Sequence, residues 1–189
     1  LHGTNRRQRQ MCIRDRDDII INNYAIIEYI EEKYSHLQKG TSLISGNPRG
    51  KAEIRRLVDW YDNKFYNEVS KIILRELIDK YYMKNRTEDK SPNMESLRIA
   101  QENSIYHFEY LSHLISSRHW IAGDAISQAD IAAATHISCL DYLNKIDWDK
   151  LSEIKNWYAR IKSRPSFSSI LEDRLAGFNP PNHYSNPDF

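Results

Sequence analysis

At 189 residues, 40% hydrophobic and 28% charged, the chain has the size and composition of one globular domain, or of one domain with a fragment of another. No apolar run approaches the roughly 18 residues that cross a bilayer and no secretory leader pattern is legible, so the expectation is a cytoplasmic protein without a membrane partner. Two cysteines, Cys12 and Cys139, without metal-ligand or C-x-x-C spacing, exclude a disulfide framework, and the net charge of +1 hides a basic N-terminal arm that could tether nucleic acid or membrane but lacks the pattern for it, so no nucleic-acid partner is expected.

That charge is uneven. Residues 1–16 carry five arginines against one aspartate, and the remainder is mildly acidic. The arm has no aromatic interleaving and no periodicity. It reads like translated adapter or vector sequence, and 1–16 is expected to be a non-native or disordered basic arm. Asp17-Asp18-Ile19-Ile20-Ile21 is a turn signal followed by a β-branched run, which predicts one short strand. Asn22 or Asn23 can then cap a helix carrying Ala25, Ile26, Tyr29 and Ile30. A single strand cannot satisfy its own backbone groups, so segment 17–40 reads as the remnant of a larger sheet domain.

After a loop through Gly46, Asn47-Pro48 opens a long helix with proline at its first position, where the missing N–H costs nothing. Its apolar stripe, Ile54, Leu57, Val58, Tyr61, Phe65, Val69, Ile72, Ile73 and Leu77, advances in steps of three and four. Charged residues 84–90 form a linker, and Ser91-Pro92 repeats the cap-plus-proline start for a helix with Leu97, Ala100, Ser104, Phe108, Leu111 and Ile115 on one face. Ser127 followed three positions later by Asp130 is an N-capping box, with Ile126 and Ile131 placed as a hydrophobic staple. The helix behind it is apolar or small all round to about Leu143, so it is the expected centre of a bundle. Leu151, Ile154, Tyr158 and Ile161 mark another helix, stopped by Pro165. A short one runs from Phe167 to Leu175 and is closed by Gly177, before an extended tail, 176–189. The fold class is therefore all-α: a helical domain over 47–175 behind a remnant strand–helix.

The order of these elements resembles the glutathione S-transferase family over residues 17 to about 175. Strand and helix at 19–34 resemble the end of its thioredoxin-like first domain. Arg55-Arg56-Leu57-Val58-Asp59-Trp60-Tyr61-Asp62 resembles the first helix of its all-α C-terminal domain, and Trp120 to Ile131 its capped core helix. Arg164-Pro165-Ser166-Phe167 resembles the exit of the penultimate helix. The resemblance implies a homodimer that conjugates glutathione to an electrophile. It places Asn22 and Asn23 where the family binds the γ-glutamyl group at a helix N-terminus. Asparagine caps and donates but supplies no acid for the substrate's ammonium group. The family's thiol-activating residue falls upstream of Asp17, so the chain itself is expected to be inactive, with no catalytic residue of its own.

The resemblance also implies a hydrophobic substrate site on Trp60, Tyr61 and Phe65; read from spacing alone, aromatics on a helix face are more often core. Asp59 and Asp62 read as a solvated or salt-bridged face with Arg55 and Arg56 one turn away, and His107, His113, His119 and His136 lack metal-ligand spacing. Cys139 reads as an inert packing residue. The tail, with Pro180, Pro181, His183, Tyr184, Asp188 and Phe189, places aromatic anchors on a stiff segment, suited to a groove in this protein or in a partner. It resembles the C-terminus of the bacterial glutathione-transferase-like division proteins that bind FtsZ filaments, a non-catalytic branch that needs no glutathione site.

Overall fold

A computed structural model describes residues 12–34, 36, 42–82 and 91–186. The chain separates into two compact units, Leu1–Ser45 and Gly46–Phe189.

In the first unit, β1 (Cys12–Asp15) pairs antiparallel with β2 (Asp18–Ile21), in register Cys12↔Ile21 through Asp15↔Asp18. The predicted single strand is thus half of a hairpin. The end of the basic arm belongs to the fold, because β1 supplies the ladder that β2 lacks alone. Asp15, read as part of that arm, accepts from the hydroxyls of Tyr29 (2.8 Å) and Tyr34 (2.9 Å) and from the Lys33 ammonium. These groups stand on α1 (Asn23–Tyr34), so one carboxylate ties helix to hairpin. The cap of α1 is Asn22, whose side-chain oxygen accepts from Tyr24 N–H at 2.9 Å and whose φ of 87° is one that asparagine tolerates. The remainder of the arm, 1–11, lies outside the described residues.

The second unit is built on one continuous helical rod. It begins as α2 (Pro48–Asp59), capped by Asn47, whose Oδ1 accepts from Gly50 N–H at 2.9 Å. It widens to π-helical winding over Trp60–Ser70, returns to α over α3 (Lys71–Leu74), widens again over Arg75–Asp79 and ends as α4 (Lys80–Tyr82). The sequence supplies a reason for the widening. Leu57, Tyr61, Phe65, Val69 and Ile73 recur strictly every fourth residue and are at most 4% exposed. With 3.6 residues per turn, a four-residue repeat drifts about 40° around the axis per step, and wider turns remove that drift.

α5 (Met94–Ser116) is capped by Asn93, not by Ser91. The Asn93 side-chain carbonyl accepts from Ser96 N–H at 2.9 Å, and the Asn93 backbone N–H donates to Glu76 Oε2 at 2.7 Å. α6 (Gln128–Tyr142) lies against α2 and the Trp60–Ser70 segment and buries Ala133, Ala134 and Ile137 completely. It closes in a Schellman motif: Asn144 has φ 53°, its N–H donates to Asp141 O (3.0 Å), and Lys145 N–H donates to Leu140 O (2.9 Å). Cys139 is exposed on this helix, a correction to the packing role read from its apolar neighbours. α7 (Ser152–Lys162) contributes Ile154, Trp157, Tyr158 and Ile161 to the core, and α8 (Pro165–Glu172) starts on the proline that stops it. Residues 173–186 turn back over the bundle. Gly177, with φ 81°, closes no helix; it sits in a tight turn bridged by Leu175 and Phe178, with the Tyr81 ring packed under it.

Candidate functional site

Three polar clusters meet on or beside α6. At its N-terminus the capping box is formed, and it does more than cap. Asp130 is fully buried. Its Oδ2 accepts from Ser127 N–H (2.9 Å) and Ser127 Oγ (2.8 Å), and its Oδ1 from Ile121 N–H (3.0 Å) and Trp157 Nε1 (3.0 Å). One carboxylate therefore joins the helix start, the Trp120–Gly123 turn and α7. Burial pushes its pKa above the usual carboxylate range, against the pull of these four bonds.

The second cluster lies between the π-wound segment and α5. Tyr61 and Phe65 are 1% and 0% exposed, so they are packing residues rather than the walls of a site. Trp60 is half-buried and packs against Tyr110, with ring centroids 4.7 Å apart. Its Nε1 donates to His107 Nδ1 at 3.1 Å, and His107 Nε2 meets Glu68 Oε2 at 2.9 Å. Indole N–H is only a donor, so Nδ1 must be the acceptor and Nε2 carries the proton. The relay continues to Lys64, whose ammonium lies 2.5 Å from Glu68 Oε1. Burial holds His107 below the usual imidazole range, which keeps this neutral tautomer. Beside it, Ser70 Oγ lies 3.2 Å from His136 Nδ1, and His136 Nε2 lies 3.4 Å from Asp62. The connectivity is that of a Ser-His-Asp array, but Ser70 has no exposed surface and cannot meet a substrate. Asp62 faces His136, Asp59 accepts from Asn63, and Arg56 pairs with Glu53. No three His, Cys, Asp or Glu side chains among the described residues are placed to hold a metal ion.

The third cluster, at the C-terminal end of α6, receives the tail. Tyr142 Oη donates to Phe178 O (2.8 Å) and accepts from Leu175 N–H (2.9 Å), bracing both ends of the Gly177 turn. Tyr82 on α4 donates to Ala176 O. Tyr184 is 3% exposed, shares a 2.9 Å hydrogen bond with Ser138 and packs edge-on to Tyr142. His183 Nε2 meets the buried Asp141 Oδ1 at 2.9 Å, an oxygen that also accepts from Trp148 Nε1 at 2.8 Å. Of the anchors read in the tail, His183 and Tyr184 are therefore held by this protein's own bundle, and Asp188 and Phe189 lie outside the described residues. Asp141, Tyr142 and Lys162 escaped the sequence reading. The one available signal was an aspartate directly after Leu140 in a helix otherwise apolar at that end.

Comparison with known proteins fits this architecture. Residues 74–174 match the family model described as "Glutathione S-transferase, C-terminal domain". The chain is 37% identical over 174 residues to FtsZ-localized protein A of Caulobacter vibrioides, covering 92% of this chain and 73% of that protein. Two solved structures superpose well. The crystal structure of a glutathione S-transferase from Sinorhizobium meliloti 1021 has a TM-score of 0.85 at 39% identity, over 94% of this chain and 77% of that one. FzlA from C. crescentus has 0.84 at 36%, over 94% and 76%. The chain belongs to the glutathione S-transferase family. Within it, the chain is similar along most of its length both to a solved glutathione S-transferase and to an FtsZ-localized protein.

Proposed function

We propose that this protein works as a non-catalytic glutathione-transferase-fold binding protein that associates with FtsZ filaments in the cytoplasm, as a homodimer in its full-length form. The observation that carries this reading is the 37% identity to FtsZ-localized protein A across 92% of the chain. The site geometry supports it. Among the described residues, the serine–histidine–aspartate array has a buried serine. The tail instead is fixed to the bundle up to Asn186, which leaves Asp188 and Phe189 as the residues proposed to touch the filament. No described helix is long and apolar enough to cross a membrane.

A second reading, glutathione conjugation, is favoured by the 39% identity to the S. meliloti transferase structure. Against it, Asn22 directs its side-chain oxygen to Tyr24 N–H, which leaves Asn23 as the remaining candidate for the γ-glutamyl group and no carboxylate for its ammonium. The hydrophobic substrate site that accompanies this reading falls to Trp60, the partly exposed member of its three aromatics. Two assays on the full-length protein separate the readings. Co-sedimentation with FtsZ polymers and no retention on immobilised glutathione is the expected result; tight retention without co-sedimentation overturns it.

A further inference from the structure

Asp141 and Lys162 form an unusual pair. Both side chains are completely buried, on α6 and α7 respectively, yet the ammonium stands 3.9 Å from Asp141 Oδ2, which has no hydrogen-bond donor. A buried ion pair with that geometry returns little of its desolvation cost, and replacing both charges with apolar groups is often neutral or stabilising. Stability alone does not explain it. Its two members nevertheless share a third residue. Asp141 Oδ1 meets the His183 imidazole at 2.9 Å, while Lys162 Nζ donates to the His183 carbonyl at 3.0 Å. One tail residue is therefore held by its side chain from α6 and by its backbone from α7. The same carbonyl accepts from Asn186 N–H at 3.1 Å, which shapes the last described turn.

We propose that the Asp141–Lys162 pair is a two-point clamp on His183, whose task is to fix one placement of tail residues 182–186 on the bundle, so that a partner filament meets that segment already ordered. The clamp follows from the contacts alone; the delivery to a filament rests on the function proposed above. Position, rather than binding energy, is what the buried charges specify: a carbonyl and an imidazole on one residue fit both groups in a single placement. Ordering the chain end beforehand also lowers the entropy that binding must remove.

The test uses the full-length protein and two variants, His183→Ala and the double change Asp141→Asn with Lys162→Met. The double variant leaves no uncompensated buried charge, so it keeps the test valid if a single change at Asp141 prevents folding. Amide hydrogen exchange over residues 182–186 reads the clamp, and co-sedimentation with FtsZ polymers reads delivery. We expect exchange there to rise at least about tenfold in both variants with α6 and α7 unchanged, and the pelleted fraction to fall about fivefold or more. Unchanged exchange overturns the clamp. Faster exchange with undiminished pelleting overturns delivery and leaves a purely structural clamp. If the unaltered protein does not pellet, the proposed function fails, and exchange still decides the clamp.

Discussion

The two ends of α6 each bury an aspartate, and the two carboxylates do different work. Asp130 accepts four hydrogen bonds at 2.8 to 3.0 Å, all from within the bundle. Asp141 accepts on one oxygen only, faces an ammonium at 3.9 Å, and reaches a tail residue 42 positions later. A fully satisfied buried carboxylate locks a fold, whereas a partly satisfied one is worth retaining when it specifies a single placement of a movable segment.

The sharpest break of this contrast is Asp130→Ala, which leaves Ile121 N–H and the Trp157 indole buried without an acceptor. We expect a loss of about 3–4 kcal/mol by urea unfolding, since each orphaned buried donor costs roughly 1–3 kcal/mol. A loss below about 1 kcal/mol would remove Asp130 from its central role. At the other end, Asp141→Asn leaves Lys162 uncompensated and is expected to cost about 3 kcal/mol, with Lys162→Met added restoring most of it. Additive losses in that double-mutant cycle would deny the coupling. Ser127→Ala removes the cap hydroxyl alone and is expected to cost about 0.5–2 kcal/mol, less than Asp130→Ala. A cost equal to Asp130→Ala would shift the keystone to the serine.

A further effect is a slope with pH. Burial, opposed by Asp141, pushes the Lys162 ammonium down to about 8 from an ordinary 10.5. Between those values the folded chain binds fewer protons than the unfolded chain, so this residue makes stability rise with pH across that window. Comparing the original protein with Lys162→Met isolates the residue from the buried tyrosines. The expected difference is a flatter profile in the variant between pH 8 and 10.5, and superimposable slopes would contradict it.

The same contrast explains what could be read in the sequence. The Asp130 box is legible because its partners lie within three residues, and the all-apolar helix behind it follows from composition. The Leu57-to-Ile73 run of fours carries the signal for a widened helix once the residues are known to be core. Asp141 was not legible, because Trp148, Lys162 and His183 lie 7, 21 and 42 positions away and only the tertiary fold brings them together. The Trp60–His107–Glu68 relay spans two helices in the same way. Strand β1 was missed for a compositional reason: Cys12 to Asp15 look like part of a basic arm until Asp18 to Ile21 are seen to pair with them.

The central claim is that a glutathione-transferase fold here serves to hold and present a chain end to a filament. Its most direct test is co-sedimentation of the full-length protein with FtsZ polymers, with and without a deletion of residues 187–189. Pelleting is expected to depend on the polymers and to be lost in the shortened protein while its unfolding midpoint stays the same. Equal pelleting of both proteins, or of neither, would contradict it.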